Sequence, residues 1–296
     1  ADPAPSLAVA RARAGTHGPF RTSPDVPLPK HAYSPFDKLD APPERPPLAI
    51  AAPHVSPEGG FRSYAAAFSR LGPQLRERTF VVLGTSHYGE PDRFGVTRKP
   101  YVTPFGARRI DRDRVGRFAR AAGEAVLEED YCHAVEHSIE FQVLYLQHAV
   151  APDVRIVPIL VGPFATALFQ GGRPEDDPAL ARAFDALGAL GEGEGGAPVF
   201  VLGIDMAHVG RRYGDRFGAR ASEGRMLEVE ERDRERIERA LAPDAGAFWE
   251  LVQEGHHPFR LLHPHPGGGL IEEQHAGAGP EDHGDLELPM LSVGEG

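Results

Sequence analysis

The 296-residue sequence predicts an α/β fold, with a mostly parallel central sheet and helices on both faces. Three observations predict it. Four apolar runs have the length of buried strands, segments with helical periodicity lie between them, and polar residues follow three of the strand ends. Continuous apolar runs of this kind are typical of strands that are covered on both faces of a sheet.

The predicted strands are short and rich in Val, Ile, Leu and Ala. They cover residues 48–52, 79–84, 154–162 and 199–204. Residues 96–105 mix polar and apolar side chains, which predicts an exposed strand or a loop. Since strands alternate with helices along the chain, we expect most neighbouring strands to be parallel.

The predicted helices have apolar residues at every third or fourth position. They cover residues 61–71, 110–127, 136–150, 180–190, 222–241 and 245–253. The apolar stripe of residues 136–150 is so broad that we expect a helix buried in the core.

Composition divides the chain into three parts. Residues 1–47 form a Pro-rich N-terminal arm, residues 48–255 form the α/β domain, and residues 256–296 form a tail rich in Gly, Pro and His. The tail contains six of the 14 His residues and shows little periodicity, which favours a loosely ordered segment.

The charge and cysteine content restrict the class of protein. A net charge of −11 argues against nucleic acid or an anionic membrane as the main partner. No apolar run is long enough for a membrane-spanning helix, and residues 1–15 lack the pattern of a signal peptide. A single cysteine, Cys132, excludes an internal disulfide framework and indicates a reducing compartment, so we expect a cytoplasmic protein. The oligomeric state stays open.

Polar side chains follow three of the four predicted strands. His54 comes after the first strand, His87 after the second, and Asp205 and His208 after the fourth. Ligands of open α/β sheets bind beyond the carboxyl ends of strands, so we expect these four side chains to meet in one crevice. Imidazoles with a carboxylate are suitable ligands for a divalent transition metal.

A second polar cluster lies near the start of the predicted buried helix, and two interpretations of it stay open. In the first, Glu136 or Ser138 caps the helix and the histidines His133 and His137 are satisfied core residues. In the second, a histidine of this cluster points into the crevice. There it acts in acid–base chemistry or holds the metal ligands in place.

Seven segments taken together resemble one family, in order and in spacing. They read A-P-H (52–54), G-G (59–60), L-G-T-S-H (83–87), T-P-F-G (103–106), E-H-S-I-E-F-Q (136–142), V-P-I-L-V-G (157–162) and D-M-A-H-V-G (205–210). The family is the Memo family, whose bacterial members are called AmmeMemoRadiSam system protein B. The resemblance covers about residues 48–255.

The resemblance implies a fold shared with the class III extradiol dioxygenases and a non-haem metal site that holds Fe(II) or Cu. It implies that His54 and His87 are metal ligands, and that Asp205, His208 and His137 are the catalytic residues of the pocket. The implied activity is a redox, dioxygenase-like reaction on a small aromatic or peptide ligand. Zinc in the same site would suit hydrolysis instead.

One family feature is missing, because the third metal ligand of the family is a Cys that should follow soon after Gly255 and this chain has none there. Three explanations stay open: His263, or else His256 or His257, replaces it; two His and a carboxylate suffice; or the tail has diverged and the site is incomplete. We take His263 as the expected third ligand. The alternative function is a peptide- or protein-binding module with a degenerate metal site and no turnover.

Overall fold

A computed structural model describes residues 20–21, 47–191, 196–220, 223–242 and 244–262. Most of the predicted arm, and the tail from residue 263 onwards with His263, lie outside these residues. The described chain separates into two compact units, one reaching Asp205 and one that starts at Met206.

Within the described residues, the first unit contains nine strands. They are β1 (Phe20–Arg21), β2 (Ala49–Ala52), β3 (Thr79–Thr85), β4 (Phe94–Val96), β5 (Tyr101–Thr103), β6 (Gly106–Arg108), β7 (Val126–Glu128), β8 (Arg155–Val161) and β9 (Val199–Gly203).

The described helices alternate with these strands along the chain, and the last two helices follow the last described strand. They are α1 (Pro57–Phe68), α2 (Arg112–Ala122), α3 (Asp130–Val135), α4 (Glu140–Ala149), α5 (Ala165–Gln170), α6 (Pro178–Gly188), α7 (Arg225–Leu241) and α8 (Ala245–Leu262).

Six strands form the central sheet in the order β2-β9-β3-β8-β4-β7. The strands β2, β9, β3 and β8 are mutually parallel, β4 is antiparallel to β8, and β7 is parallel to β4. A smaller sheet joins β1, β5 and β6. The predicted α/β fold with a mostly parallel sheet and flanking helices is therefore confirmed, and the four predicted strands are its four parallel members.

Aromatic side chains attach the helices to each other and to the sheet. Tyr64 of α1 stacks on Tyr145 of α4, with ring centroids 4.2 Å apart, and Phe68 packs beside them at 5.5 Å from Tyr145. In another part of the core, Phe94 of β4 lies 5.9 Å from Phe118 of α2 and 5.8 Å from Phe184 of α6. All of these rings except Phe184 are almost fully buried, which makes the sheet the centre of a continuous core.

Two local predictions were wrong around β4 and β7. Residues 96–105 are not an exposed segment, since Val96 and Tyr101 are buried in β4 and β5. The helix predicted for residues 110–127 ends at Ala122, because Gly123 has a positive φ of 64° that stops it, and Val126 belongs to β7. A short strand that pairs within the sheet is hard to recognise when charged residues flank it.

The start of the buried helix also differs from the prediction. Residues 130–135 form the separate short helix α3, and α4 starts only at Glu140. The chain between them turns away from helical geometry at Glu136, whose ψ is 142°. Neither Glu136 nor Ser138 caps α4, since the N-cap position is Ile139.

The second unit consists mainly of α7 and α8. The buried carboxylate of Asp233 on α7 accepts a hydrogen bond from the backbone N–H of Ala207 and is paired with Arg236. Helix α8 continues to Leu262, beyond the predicted boundary at residue 255. No helix in the described part of the chain has the length and apolar character to cross a membrane.

Candidate functional site

The ends of three parallel strands place the predicted residues next to each other. Ala52 at the end of β2 and Gly84 near the end of β3 both pair with Gly203, the last residue of β9. His54 therefore follows β2 at the same edge of the sheet at which Asp205 follows β9. The register of the sheet thus produces a cluster from residues about 150 positions apart in the chain.

His54 is buried and held at both the backbone and the ring. Its backbone N–H donates to Oδ1 of Asp205 at 2.6 Å, and its ring Nδ1 lies 3.1 Å from the carbonyl oxygen of Gly203. Because a carbonyl oxygen can only accept, Nδ1 carries the proton in this contact. The nitrogen that keeps a lone pair is Nε2, which lies 3.6 Å from Oδ2 of Asp205.

His87 is held in a similar way by Glu136. Its backbone N–H donates to Oε2 of Glu136 at 2.8 Å, and its ring Nδ1 lies 2.9 Å from Oε1. The carboxylate also accepts the backbone N–H of His137 at 3.1 Å. Glu136 is almost completely buried, whereas 39% of the His87 side chain is exposed, so the imidazole has one enclosed side and one open side.

Three imidazole rings form the cluster. The centroid of His54 lies 5.3 Å from that of His87 and 5.6 Å from that of His137, and His87 and His137 are 5.9 Å apart. The His137 side chain is about one third exposed. Tyr88 is exposed beside His87, with ring centroids 6.3 Å apart, so an aromatic surface adjoins the imidazoles.

The segment between α3 and α4 packs tightly under this cluster. A Cβ atom on Gly84 would lie 2.5 Å from the Ser138 hydroxyl, and one on Gly203 would lie 2.4 Å from the Ser138 carbonyl oxygen. Ser138 donates its hydroxyl proton to the carbonyl of Thr85 at 2.8 Å. Glycine at these two strand ends is what lets the segment approach the sheet.

The charge states of the cluster follow from burial and contacts. Burial lowers the pKa of His54 and outweighs the opposing effect of the Asp205 carboxylate. Burial alone would raise the pKa of Glu136, but hydrogen bonds from His87 more than compensate and hold it below its ordinary value. A neutral His54 and an ionised Glu136 are therefore expected at neutral pH.

The other histidines singled out in the sequence lie elsewhere. His133 is a buried core residue, whose ring contacts the Tyr101 hydroxyl at 2.8 Å and the Gly95 carbonyl at 3.1 Å, as the core interpretation expected. His208 belongs to the second unit, is exposed, and packs against Tyr213 there. Its catalytic assignment stays a prediction, as does the assignment of His263.

Glu136 is the main feature that sequence reasoning misread. The sequence pattern predicts a helix cap for it, whereas its carboxylate binds the backbone and the ring of His87. The available signal was its position beside His137 in E-H-S-I-E, but the identity of its partner depends on how β3 is placed beside α3 and α4.

The donor types at this site suit a transition metal. His54 and His87 are imidazoles with Nδ1 engaged, and Asp205 offers a carboxylate beside His54. Within the ranges that the structure describes, no group of three or more His, Cys, Asp or Glu side chains is arranged to hold a metal ion. His54 and His87 are therefore suitable as two nitrogen ligands of a metal ion, and any further ligand has to come from another group.

Comparisons with known proteins agree with the sequence resemblance. The family model described as Memo-like protein matches residues 37–259. A MEMO1 family protein of Thermococcus kodakarensis is 32% identical over 217 residues, which cover 69% of this chain and 68% of the relative. One from Pyrococcus furiosus is 31% identical, covering 76% and 75%. One from Aquifex aeolicus is 26% identical, covering 56% of this chain and 41% of the relative. With this sheet and this order of motifs, the chain belongs to the Memo family.

Proposed function

We propose that the chain binds a divalent transition metal through His54 and His87 and carries out redox, dioxygenase-like chemistry at that site. The observation that carries the proposal is the matching restraint of the two imidazoles. Each has its Nδ1 on an oxygen acceptor, Gly203 for His54 and Glu136 for His87, which makes Nε2 the ring nitrogen that would coordinate an ion.

The spacing of the two rings supports the same conclusion. Metal–nitrogen bonds of about 2.0–2.1 Å place the centroids of two imidazoles on one ion roughly 4.5–5.5 Å apart. The rings of His54 and His87 are 5.3 Å apart. The separation of the two rings is therefore compatible with one shared ion.

Other groups of the cluster would serve the reaction around the ion. Fe(II) or Cu would supply electron transfer between an organic substrate and dioxygen. Asp205 holds the His54 backbone through Oδ1 and could add an oxygen ligand through Oδ2. His137 is partly exposed beside the two rings and is the proposed proton carrier of the reaction. The exposed Tyr88 supports a small aromatic or peptide ligand.

The test is metal content measured by elemental analysis on protein purified without oxygen and supplied with ferrous iron or copper. We expect near-stoichiometric metal in the unaltered protein and a large loss in His54→Ala and in His87→Ala. His148→Ala is the matched control, since His148 is an exposed histidine on α4. Normal metal content in both site variants would overturn the proposal. If the protein instead holds zinc and keeps it in air, the proposed reaction becomes hydrolysis.

A second candidate function is a binding module without turnover. It is favoured by one observation, namely that the described residues lack a ready group of three ligands. It predicts a folded protein that binds no metal and keeps its affinity for a peptide or aromatic ligand after His54→Ala. The same metal analysis separates the two functions, and a cytoplasmic location suits either.

A further inference from the structure

Gln142 of α4 is a buried polar residue that contacts the loop carrying His54. Its side chain is fully enclosed, and its Nε2 donates to the carbonyl oxygen of Pro53 at 2.8 Å. Pro53 immediately precedes His54. This bond joins the loop that follows β2 to helix α4. Glu136 lies in the segment just before that helix.

The other half of the same amide is unsatisfied. Within the described residues, Oε1 of Gln142 is buried and has no hydrogen-bond partner. A buried acceptor without a partner lowers stability, and this cost offsets part of what the bond to Pro53 contributes. A residue with such a cost is more readily explained by what it positions than by the energy it contributes.

The other strand-end loop is held by the same stretch of chain. Glu136 binds both the backbone and the ring of His87, and Ser138 binds the carbonyl of Thr85. The segment 136–142 therefore contacts the chain next to His54 and the chain at His87. Its own position is set by close packing on Gly203, where a Cβ would lie 3.0 Å from Nε2 of Gln142.

We propose that Gln142 is a positioning residue that sets the distance of His54 from His87 by holding the Pro53 carbonyl against the segment that also holds His87. The inference rests on the proposed function in so far as the two imidazoles bind one metal. The role is carried by the donor group of the amide. Removal of that group takes away the bond between the His54 loop and α4, so that within the described residues only Asp205 and Gly203 still hold His54, while Glu136 continues to hold His87.

Gln147 provides a matched control within the same helix. It too is a buried glutamine of α4, and its Nε2 donates to the carbonyls of Gly106 and Pro152. Its Oε1 accepts a hydrogen bond from Thr103. None of these bonds reaches the loops that carry His54 and His87. Any loss of a buried glutamine that acts only through stability should therefore appear in both positions.

The experiment compares Gln142→Met with Gln147→Met in the full chain. The dissociation constant for Co²⁺, used as a spectroscopic probe, is measured by titration of the metal-free protein. We expect Gln142→Met to weaken binding by about 10- to 100-fold, the usual effect of removing a group that orients a metal ligand. Gln147→Met should bind as the unaltered protein does. Gln142→Leu repeats the test with another apolar side chain of similar size, should Gln142→Met fail to fold.

A second measurement needs no metal. The backbone N–H of His54 donates to Asp205, so its hydrogen exchange reports on the position of the loop. We expect faster exchange of this amide in Gln142→Met and an unchanged rate in Gln147→Met. Unchanged exchange in Gln142→Met, or the same acceleration in both variants, would overturn the inference. If the unaltered protein binds no metal but the exchange effect is present, the proposed function fails and the positioning role of Gln142 stands.

Discussion

Glu140 is the first residue of α4 and carries a carboxyl group with an unusual environment. Its Oε1 is buried and has no hydrogen-bond partner in the described part of the chain. Burial raises the pKa of this carboxyl to about 8. The folded protein therefore keeps a proton on Glu140 at pH values at which the unfolded chain has released it.

This difference makes stability depend on pH in a defined direction. Between the ordinary pKa of 4.5 and the folded value of about 8, the folded state binds more protons than the unfolded state. The free energy of unfolding therefore falls as pH rises through this window. We expect Glu140→Gln to remove this fall, which should reach about 5 kcal/mol for a pKa that moves from 4.5 to about 8 on folding. Urea denaturation across the window measures it.

The control for this prediction is Glu124→Gln, since Glu124 is an exposed carboxylate paired with Arg182 at the surface. It should keep the pH slope of the unaltered protein. An equal slope in Glu140→Gln would show that the Glu140 carboxyl does not hold a proton in the folded protein.

At the scale of elements, the contact between β9 and the start of α4 depends on the absence of a side chain. A Cβ on Gly203 would meet backbone and side-chain atoms of Ser138 and Gln142 at 2.4–3.2 Å. Gly203→Ala must therefore displace the segment 136–142 or the strand end. We expect a loss of about 1–3 kcal/mol in the free energy of unfolding, as is typical of overpacking.

The same substitution elsewhere should have no such effect. Gly188 at the end of α6 has open space around the position of a Cβ, so Gly188→Ala should leave stability unchanged or raise it by up to about 1 kcal/mol. Thermal or urea unfolding of the two variants side by side measures the difference. Equal stability of both would mean that the α4 segment tolerates displacement.

At the scale of the whole molecule, the main prediction concerns the residue that would complete the proposed metal site. The expected ligand, His263, follows directly after the end of α8 at Leu262. We expect His263→Ala in the full chain to lower the metal content well below that of the unaltered protein. His265→Ala is the matched control two residues away. Loss of metal only in His256→Ala or His257→Ala would assign the ligand to that pair instead.

The sequence by itself determined the class of fold, the four parallel strands and most helices, because apolar periodicity reports directly on which residues face a core. It also indicated that His54, His87 and Asp205 belong together. That inference needs only the rule that parallel strands end at one edge of a sheet. The order of the motifs indicated the family.

Only the tertiary structure decided which groups restrain these residues. The pairing of His87 with Glu136, the bond from Gln142 to Pro53 and the tight contact of Ser138 with Gly203 join residues far apart in the chain. The insertion of β4 and β7 at one side of the sheet was equally beyond the sequence pattern. Such contacts depend on which strands become neighbours and how far a helix is shifted along them. Local periodicity does not reveal the order of the strands or the position of a helix along them. It is the same for every arrangement that buries the same faces.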